Sequence, residues 1–490
     1  MKKTFFYFLF LFSQLSLYPQ VKDYNPSIQP TTHFQYFKPA EEHLFPGDCM
    51  PYYHNGTFYL YWLLDEGHHS GLNGLGGHQW ALSTSKDLKN WKHYAVALGI
   101  DEDWEKSICT GSVIAEGDKF YAFYSTRFIE DGHSTEQLSY AISTDDGITY
   151  EKQKPNPFYE PPADCDRNQF RDPRVFKDKE GAFHLFVSGY KKDPVLSGQG
   201  GYLAHLISKD LMNWTEAVSP LTGQPATPEC SDYFEWNGWY YLIYSVHSDT
   251  YYLKSRQPYG PWEWPKSQAL LEKWANVYKT APFEGGRRIA TAFIGGKWNN
   301  KDSDGSVFGG NILLRELFQE KDGSLRTAFL PEVLPDMGSM ATPDISTEGS
   351  RNVKVSKGEI QIDSRNGIDI ASIANLPDNY RISLTIEPKG NYDEIGLYLK
   401  ATDKNTKGYK LELNTNKRLV LIHNTLIEAV EGLDKPVELD VIVKGDIIDI
   451  NVNNQRSIVN RLSEQKGNKI FFFVKNGSAL FKDVKVFKIE

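Results

Sequence analysis

The stretch NGWYYLIYSV, residues 237–246, places a turn signal directly before a run of aromatic and β-branched residues. Asn-Gly favours a tight hairpin turn, and the run after it has the composition of a buried strand. The same layout recurs in NGTFYLYWLL (55–64), GDKFYAFYST (117–126) and EGAFHLFVSG (180–189), with a degenerate copy in GGRRIATAFIGG (285–296). A repeated strand hairpin therefore organises this part of the chain.

A second motif follows most copies of the hairpin: STSKDLKNW (83–91), STDDGITY (143–150) and SKDLMNW (208–214). These segments are typical of outer strands that end in a turn and an aromatic side chain. Two motifs that alternate in a fixed order, without helical periodicity, predict propeller blades of about four strands each. Five copies predict a five-bladed β-propeller over residues 25–335, in preference to a β-sandwich with chance similarity.

The pattern changes after LPEVLPDMGSMATPD (330–344), which is rich in Pro, Gly and small residues and is typical of a linker. Beyond it, apolar residues alternate with polar ones, as in half-buried antiparallel strands. The apolar positions that share a face are Tyr380, Ile382, Leu384 and Ile386; Val437, Leu439, Val441 and Val443; and Ile448, Ile450 and Val452. This pattern predicts an all-β chain whose second domain is a β-sandwich over residues 345–490, without convergent catalytic residues.

Charge and the N-terminus limit the partners and the location. The net charge is −9 and no block of Lys and Arg occurs, so we expect no nucleic-acid partner. Residues 1–20, MKKTFFYFLFLFSQLSLYPQ, resemble a cleaved signal peptide, which predicts an exported protein, periplasmic or secreted; the alternative is a buried first strand. The apolar run is too short to span a bilayer and no later segment is long enough, so we expect no membrane span. Nothing in the sequence indicates the oligomeric state.

The four cysteines are Cys49, Cys109, Cys165 and Cys230. In an exported chain they could pair in three ways, but small buried thiols are the interpretation we favour. No C-x-x-C spacing occurs, which argues against a zinc site. We therefore expect no cofactor and no metal.

Acids precede the turn in three of the repeats: Asp48, Asp172 and Glu229. The second repeat has Ser112 at this place. The innermost strand of each blade lines the channel of a propeller, so the three carboxylates should converge. Gathered carboxylates cannot all ionise freely, which favours a proton donor beside a carboxylate that stays charged, as in glycoside hydrolysis. The alternatives are solvated or capping acids, and a Ca²⁺ site.

Several motifs, in this order, resemble glycoside hydrolase family 32, the invertases, levanases and inulinases. They are ALSTSKDLKNWKHYAVAL (81–98), TGSVI (110–114), RDP (171–173), EC (229–230), GGRRIATAFIGG and LLRELFQEKDGSL (313–325). The resemblance implies an oligo- or polysaccharide substrate and retention of configuration. It implies that Asp48 is the nucleophile that forms a fructosyl-enzyme intermediate. Glu229 would be the acid/base, and Asp172 the transition-state stabiliser with Arg171 beside it. Arg171, Cys230 of the EC signature and Ser112 of the second-blade motif would contact the substrate.

The first motif departs from the family pattern. The family has Asn before the nucleophile and Pro-Asn-Gly after it, whereas Gly47 and Cys49–Pro51 stand here. A Gln that is usual on the next strand corresponds to Trp62, which we expect to contact the substrate in its place. Because these amides contact the sugar in the family, we expect other contacts from the loop at 67–80, with His78 and Trp80 as candidates. The alternative for this loop is a solvated Gly-rich segment.

Three functions remain open at this point. The first is an exported, retaining β-fructosidase that hydrolyses fructans or fructosides by double displacement. The second is a five-bladed propeller arabinofuranosidase or xylosidase that inverts configuration. The third is a glycan-binding propeller without turnover, which the altered first motif suggests.

Overall fold

The computed structural model describes residue 24 and residues 34–74, 76–341, 344–402 and 407–489. The predicted signal peptide, residues 1–20, lies outside the described residues. Among the described residues the helices are single turns, at Gly71–Gly74 (α1), Arg167–Gln169, Glu284–Gly286 and Pro331–Val333. None of them has the length or the apolar character to cross a membrane.

The predicted five-bladed β-propeller is confirmed. Each blade is an antiparallel sheet whose strands follow one another in chain order. Blade 1 comprises β1 Leu44–His54, β2 Thr57–Glu66, β3 Gln79–Ser85 and β4 Trp91–Leu98; blade 2 comprises β5 Ser107–Glu116, β6 Lys119–Glu130, β7 His133–Ser143 and β8 Glu151–Lys152. Blade 3 comprises β9 Arg171–Lys177, β10 Phe183–Tyr190, β11 Gly201–Ser208 and β12 Thr215–Gln224. Blade 4 comprises β13 Glu229–Trp236, β14 Trp239–Val246 and β15 Asp249–Ser255; blade 5 comprises β16 Ala275–Phe283, β17 Arg287–Lys297, β18 Ser306–Gln319 and β19 Leu325–Ala328.

The Asn-Gly turns fix the register of the hairpins that they join. Asn55–Gly56 and Asn237–Gly238 have positive φ at both residues, as the tight hairpin turn requires. Trp236 therefore pairs with Trp239 across the second turn, and every partner farther along β13 and β14 follows from that pair. The degenerate fifth copy forms β17, so the repeat holds in all five blades. Blade 4 has three strands rather than four, with an isolated bridge between Lys254 and Glu263 at its outer edge.

Apolar side chains fill the gap between each pair of neighbouring blades. Trp62 packs with blade 5, through residues such as Ala281 and Ile312, whereas Trp80 packs with blade 2, through residues such as Val113 and Ala122. The strand β1 lies beside β5 on one side and β16 on the other, which closes the ring. The five inner strands, β1, β5, β9, β13 and β16, therefore surround one axis.

The predicted β-sandwich is also confirmed. Its strands are β20 Met337–Ala341, β21 Ile345–Ser346, β22 Val353–Ser356, β23 Glu359–Ile373, β24 Tyr380–Pro388, β25 Glu394–Ala401, β26 Tyr409–Asn414, β27 Leu419–Ile422, β28 Thr425–Ile427, β29 Val437–Lys444, β30 Ile447–Val452, β31 Arg456–Arg461 and β32 Lys469–Ile489. The long strand β32 pairs with β25 through its first half and with β24 through its second, and so joins two layers. All the apolar positions named from the sequence are buried in the core between the layers. The segment predicted as a linker contains a strand, β20, which pairs with β32.

A buried charge cluster joins the sandwich to blade 5. Arg315 on β18 donates to both oxygens of Glu272 at 2.9 and 3.2 Å, and to both oxygens of Asp449 on β30 at 2.6 and 2.8 Å. All three side chains have no solvent exposure. Apolar side chains around them, such as Ile442 and Ile447 of the sandwich and Leu313 of blade 5, exclude water.

We expect Arg315→Met to lower the free energy of unfolding by about 3–5 kcal/mol, because two buried carboxylates would lose their shared cation. Urea denaturation followed by tryptophan fluorescence measures the effect. Arg418→Met is the control, since Arg418 pairs with Glu431 at the surface of the sandwich and surface pairs contribute little. Equal stabilities for the two variants would show that the buried cluster does not hold the domains together.

Candidate functional site

The inner strand of every blade carries a β-bulge at the same level. In each one, two residues stand opposite a single residue of the next strand. The bulged pairs are Gly47–Asp48, Cys109–Thr110, Asp172–Pro173, Cys230–Ser231 and Val277–Tyr278, as the breaks in register show. A bulge turns a side chain away from the regular alternation of a strand, and bulges are frequent beside active sites. The ring of bulges therefore directs one side chain or more from each blade toward the axis.

The three predicted acids meet in one cavity at this level. Asp48, Asp172 and Glu229 all line it. Their positions relative to the bulge of their own strand differ by one residue each. Asp48 is the second residue of its bulge, Asp172 is the first residue of its bulge, and Glu229 directly precedes its bulge. The sequence predicted equivalent positions, and this small stagger is how three similar strands present three different groups to the same space.

Asp48 has one engaged oxygen and one free oxygen. Oδ2 accepts a hydrogen bond from Thr110 Oγ1 at 2.5 Å and lies 3.6 Å from Cys230 Sγ. Oδ1 has no hydrogen-bond partner among the described residues, although it is buried. Burial raises the pKa of Asp48, while the Thr110 hydrogen bond, Lys279 and His78 oppose the rise. An oriented carboxylate with one unoccupied oxygen has the geometry of a nucleophile.

Asp172 is buried on the opposite inner strand. Its Oδ2 accepts from the Cys230 backbone N–H at 3.2 Å and lies 3.8 Å from Arg171 Nε. Burial raises the pKa of Asp172 to about 7, and Glu136 and Glu229 add to the rise although Arg171 lowers it. A proton can therefore reside on Asp172 near neutral pH, where an ordinary aspartic acid is ionised.

Glu229 lies where two cavities meet. Arg171 Nη2 donates to its Oε1 at 2.6 Å, and the Glu229 side chain is 32% exposed. Both residues also line a second cavity, together with Gln169, Tyr190 and His247. A molecule that occupied both cavities would pass directly beside the Glu229 carboxyl.

Two further cations balance part of the negative charge. Lys279 of blade 5 is buried beneath the acids and donates to Gly111 O at 3.0 Å. Arg127 pairs with Glu136 at 3.0 Å on the cavity wall. The carboxylates of Asp48, Asp172, Glu229 and Glu136 thus face three cations, Arg171, Arg127 and Lys279. A single proton held by the carboxylates would make the site neutral.

The wall beside Asp48 is apolar and imidazole-rich. A Cβ on Gly47 would lie 2.6 Å from the Phe308 ring, so the ring occupies the space that a side chain at this position would need. Phe308 stacks on His69 with ring centroids 4.1 Å apart, and Leu63, His69 and His78 complete the wall. Polar amides at the first motif are therefore replaced by an aromatic ring from blade 5.

Three predicted substrate contacts are corrected, because their side chains do not reach the cavity. Trp62 faces the core next to blade 5 with no exposure, and its neighbour Leu63 is the residue of β2 that lines the cavity. Trp80 is also fully buried and donates to Cys109 O at 2.8 Å. Ser112 donates to Pro173 O at 2.7 Å and accepts from Val175 N at 2.8 Å, so it joins blades 2 and 3 directly behind Asp172.

The other predicted residues do line the cavity: Arg171, His78 and Cys230. All four cysteines are buried and free. Sequence reasoning missed Thr110, Glu136, His69 and Phe308 as lining residues. Only Thr110 had a signal in the sequence, since it holds the same bulge position in blade 2 as Asp48 in blade 1.

The fold and the site define a class of protein. A five-bladed propeller that gathers carboxylates in one cavity, followed by a β-sandwich, fits a glycoside hydrolase. Residues 46–307 match the profile of the glycosyl hydrolases family 32 N-terminal domain. The chain belongs to glycoside hydrolase family 32, as the motifs predicted.

Curated relatives agree with this family. A sucrose-6-phosphate hydrolase of Bacillus subtilis is 27% identical over 186 residues, which cover 35% of this chain and 36% of that protein. A levanase of the same organism is 29% identical over 223 residues, covering 43% of this chain and 30% of the relative. The chain thus matches about a third of the length of these relatives. A levanbiose-producing levanase of B. subtilis, at 21% identity, aligns over 89% of this chain and 87% of its own length.

Solved structures share the fold over nearly the whole chain. Fructan 1-exohydrolase IIa from Cichorium intybus superposes with a TM-score of 0.71 at 14% identity, covering 94% of this chain and 97% of that one. Exo-inulinase from Aspergillus awamori gives a TM-score of 0.68 at 15% identity, covering 94% and 99%. At these identities the likeness establishes the common architecture of propeller and sandwich.

The contact between Gly47 and Phe308 can be tested by a double-mutant cycle. We expect Gly47→Ala to lower the free energy of unfolding by about 1–3 kcal/mol, because the added methyl meets the ring. In a Phe308→Ala background the same change should cost much less. Gly305→Ala is the control, since a Cβ there meets nothing within 4 Å. An equal cost of Gly47→Ala in both backgrounds would contradict this packing.

The raised pKa of Asp172 makes stability depend on pH. Between about pH 4 and pH 7 the unfolded chain is ionised at this residue and the native state is not, so native stability falls as pH rises. Asp172→Asn cannot ionise. The difference in free energy of unfolding, Asp172→Asn minus parent, should therefore increase by roughly 2–4 kcal/mol as the pH is raised from about 4 to about 8. Urea denaturation at several pH values measures this, with the exposed Asp131→Asn as control, and a constant difference would refute the buried titration.

Proposed function

We propose that this chain is an exported hydrolase that releases fructosyl units from fructans or fructosides by double displacement. The observation that carries the proposal is the placement of two carboxyls. Asp48, with a free oxygen, lies in one cavity, and Glu229 stands where that cavity meets the next. This arrangement suits a glycosidic bond that crosses from one cavity to the other.

In the first step, Asp48 Oδ1 attacks the anomeric carbon while Glu229 gives its proton to the leaving oxygen. Thr110 holds Oδ2 and so aims the other oxygen at the sugar. The leaving group departs through the second cavity, beside Gln169, Tyr190 and His247. In the second step, Glu229 accepts a proton from water, which then attacks the sugar attached to Asp48.

Arg171 and Asp172 set the charge for both steps. Arg171 contacts Glu229 directly, so it stabilises the carboxylate that remains after proton donation. Asp172 lies beside the same guanidinium and faces the developing positive charge of the sugar ring. One proton shared by the carboxylates makes the cavity neutral. This proton can move among the acids, so Glu229 can act first as an acid and then as a base.

Support for the substrate comes from relatives that are named for their activities. A sucrose-6-phosphate hydrolase and two levanases of B. subtilis, and an extracellular exo-inulinase of Meyerozyma guilliermondii that is 31% identical over 109 residues, all align with this chain. The extracellular relative and the signal-like residues 1–20 support export.

The wall beside Asp48 favours a second candidate, a furanoside other than β-fructose. Gly47 and Leu63 offer no hydrogen bonds to a sugar, and Phe308 narrows the space. A sugar whose hydroxyls faced Gly47 and Leu63 would leave those hydroxyls without side-chain partners, which disfavours its binding. A panel of inulin, levan, sucrose and arabinofuranosides, with the released monosaccharide identified by chromatography, separates the two candidates.

We expect Asp48→Asn and Glu229→Gln each to lower kcat/KM by about 10²–10⁴-fold or more on the substrate that the panel identifies, since each removes one of the two reacting groups. Initial rates of monosaccharide release measure this. Glu235→Gln, at the exposed end of the strand that begins with Glu229, is the matched control and should stay within about twofold.

Two outcomes would contradict the proposal. Activity near the parent level in either variant would remove Asp48 or Glu229 from the mechanism. Inversion of the first-formed sugar, measured by NMR, would exclude double displacement and leave water as the direct nucleophile.

A further inference from the structure

The loop between β2 and β3 brings an acid and two imidazoles together on the cavity wall. Asp65 is the last residue but one of β2, His69 lies four positions later, and His78 directly precedes β3. The loop folds back on itself through bridges from Ser70 and Gly71 to Gly76, which has φ of 105° and therefore needs glycine. The ring centroids of the two histidines are consequently only 4.5 Å apart.

Ring nitrogens of both histidines face a single carboxylate. His78 Nδ1 lies 3.0 Å and His69 Nδ1 3.7 Å from the same oxygen, Asp65 Oδ1. The Asp65 side chain has no solvent exposure, and the backbone N–H of His69 holds both of its oxygens at 3.1 and 3.2 Å. The carboxylate is therefore fixed before any ligand arrives.

One contact in this group is unsatisfied. His69 Nδ1 is buried and has no hydrogen-bond partner among the described residues, and 3.7 Å is too long for a hydrogen bond to Asp65. In the tautomer that carries its proton on Nε2, His69 Nδ1 and the Asp65 carboxylate oxygen present lone pairs to each other across this gap. A cation between them would turn the repulsion into attraction.

We propose that Asp65, His69 and His78 bind one divalent transition-metal ion, of which Zn²⁺ is the best fit. One ligand atom from each residue lies within 4.8 Å of the others. Tetrahedral Zn²⁺ with bonds of about 2.0–2.2 Å separates its ligand atoms by roughly 3.3 Å, between the two distances to Asp65 Oδ1. Two nitrogen donors disfavour Ca²⁺ and Mg²⁺, which take oxygen ligands. The absence of C-x-x-C, from which we expected no metal, does not bear on a donor set of one carboxylate and two imidazoles.

Three protein ligands leave a fourth position open, as in zinc sites that bind a substrate or water. His69 is 38% exposed, and both histidines line the cavity that contains Asp48, so the open position has access to it. Phe308 fixes the loop, because its ring stacks on His69 and its carbonyl lies 2.6 Å from His68 Nδ1. If the proposed function holds, the open position would coordinate the oxygen of a sugar hydroxyl on the wall beside Asp48, where Gly47 and Leu63 offer no polar side chain.

The test is calorimetric titration of the chelator-treated full chain with ZnCl₂. We expect one Zn²⁺ per chain. His69→Ala should weaken binding by more than about 100-fold, since loss of even an outer partner of a metal site costs about 10–100-fold. His133→Ala, an exposed histidine on β7, should bind like the parent. Cobalt(II) should give the intense visible bands of four-coordination in the parent but not in His69→Ala.

Zn²⁺ binding does not require hydrolysis of a substrate. We therefore expect Asp48→Asn to bind Zn²⁺ like the parent even though its hydrolytic activity is lost, so the two proposals can fail independently. Circular dichroism shows whether each variant is folded, and His69→Gln, at a partly exposed position, serves if His69→Ala is not. Absence of stoichiometric Zn²⁺ binding by the parent would overturn the proposal. Undiminished binding by both His69 variants would overturn it as well.

Discussion

The site depends on a bulge in the inner strand of each blade. A regular strand would alternate its side chains between two blade interfaces, and no acid could point along the axis. Each bulge inserts one extra residue. In three of the five bulges the first residue has a positive φ: Asp172 at 58°, Cys230 at 52° and Val277 at 57°. Such a conformation costs a non-glycine residue about 1–2 kcal/mol, and it is especially unusual for a β-branched one.

Neighbouring blades hold the strained residues in place. The Asp172 N–H donates to Ser125 Oγ of blade 2 at 3.0 Å, and the Tyr278 N–H donates to Thr250 Oγ1 of blade 4 at 3.1 Å. Ser112 holds the backbone on the other side of Asp172. A backbone group released from its own sheet is thus satisfied by the preceding blade. Because these hydrogen bonds run between blades, the acids keep their geometry only while the ring of blades is closed. The backbone strain at the centre is offset by the apolar packing between the blades.

Features that recur in every repeat could be predicted from the sequence, whereas contacts made by residues outside the repeat could not. The hairpins, the five blades and the three acids were all visible, because every copy shows the same turn and strand and three copies carry an acid at the same place before the turn. Phe308 was not, since its position over Gly47 depends on β18 of blade 5, far away in the chain. The error at Trp62 has a simple cause. Alternation along β2 decides whether Trp62 or Leu63 faces the axis, and the bulge opposite Leu63 is not readable from composition.

The site therefore has a shared half and a divergent half, and the two have different origins. The shared half, with Asp48, Asp172 and Glu229, comes from inner strands whose bulges the ring fixes. The divergent half comes from one loop and from the start of β18, which lie outside the repeat and can change without disturbing it. The Phe308 ring occupies the space that a side chain at Gly47 would need, and the same ring stacks on His69. The positions of the three acids thus rest on the ring of inner strands, whereas the wall beside Asp48 rests on contacts between the loop that follows β2 and the start of β18.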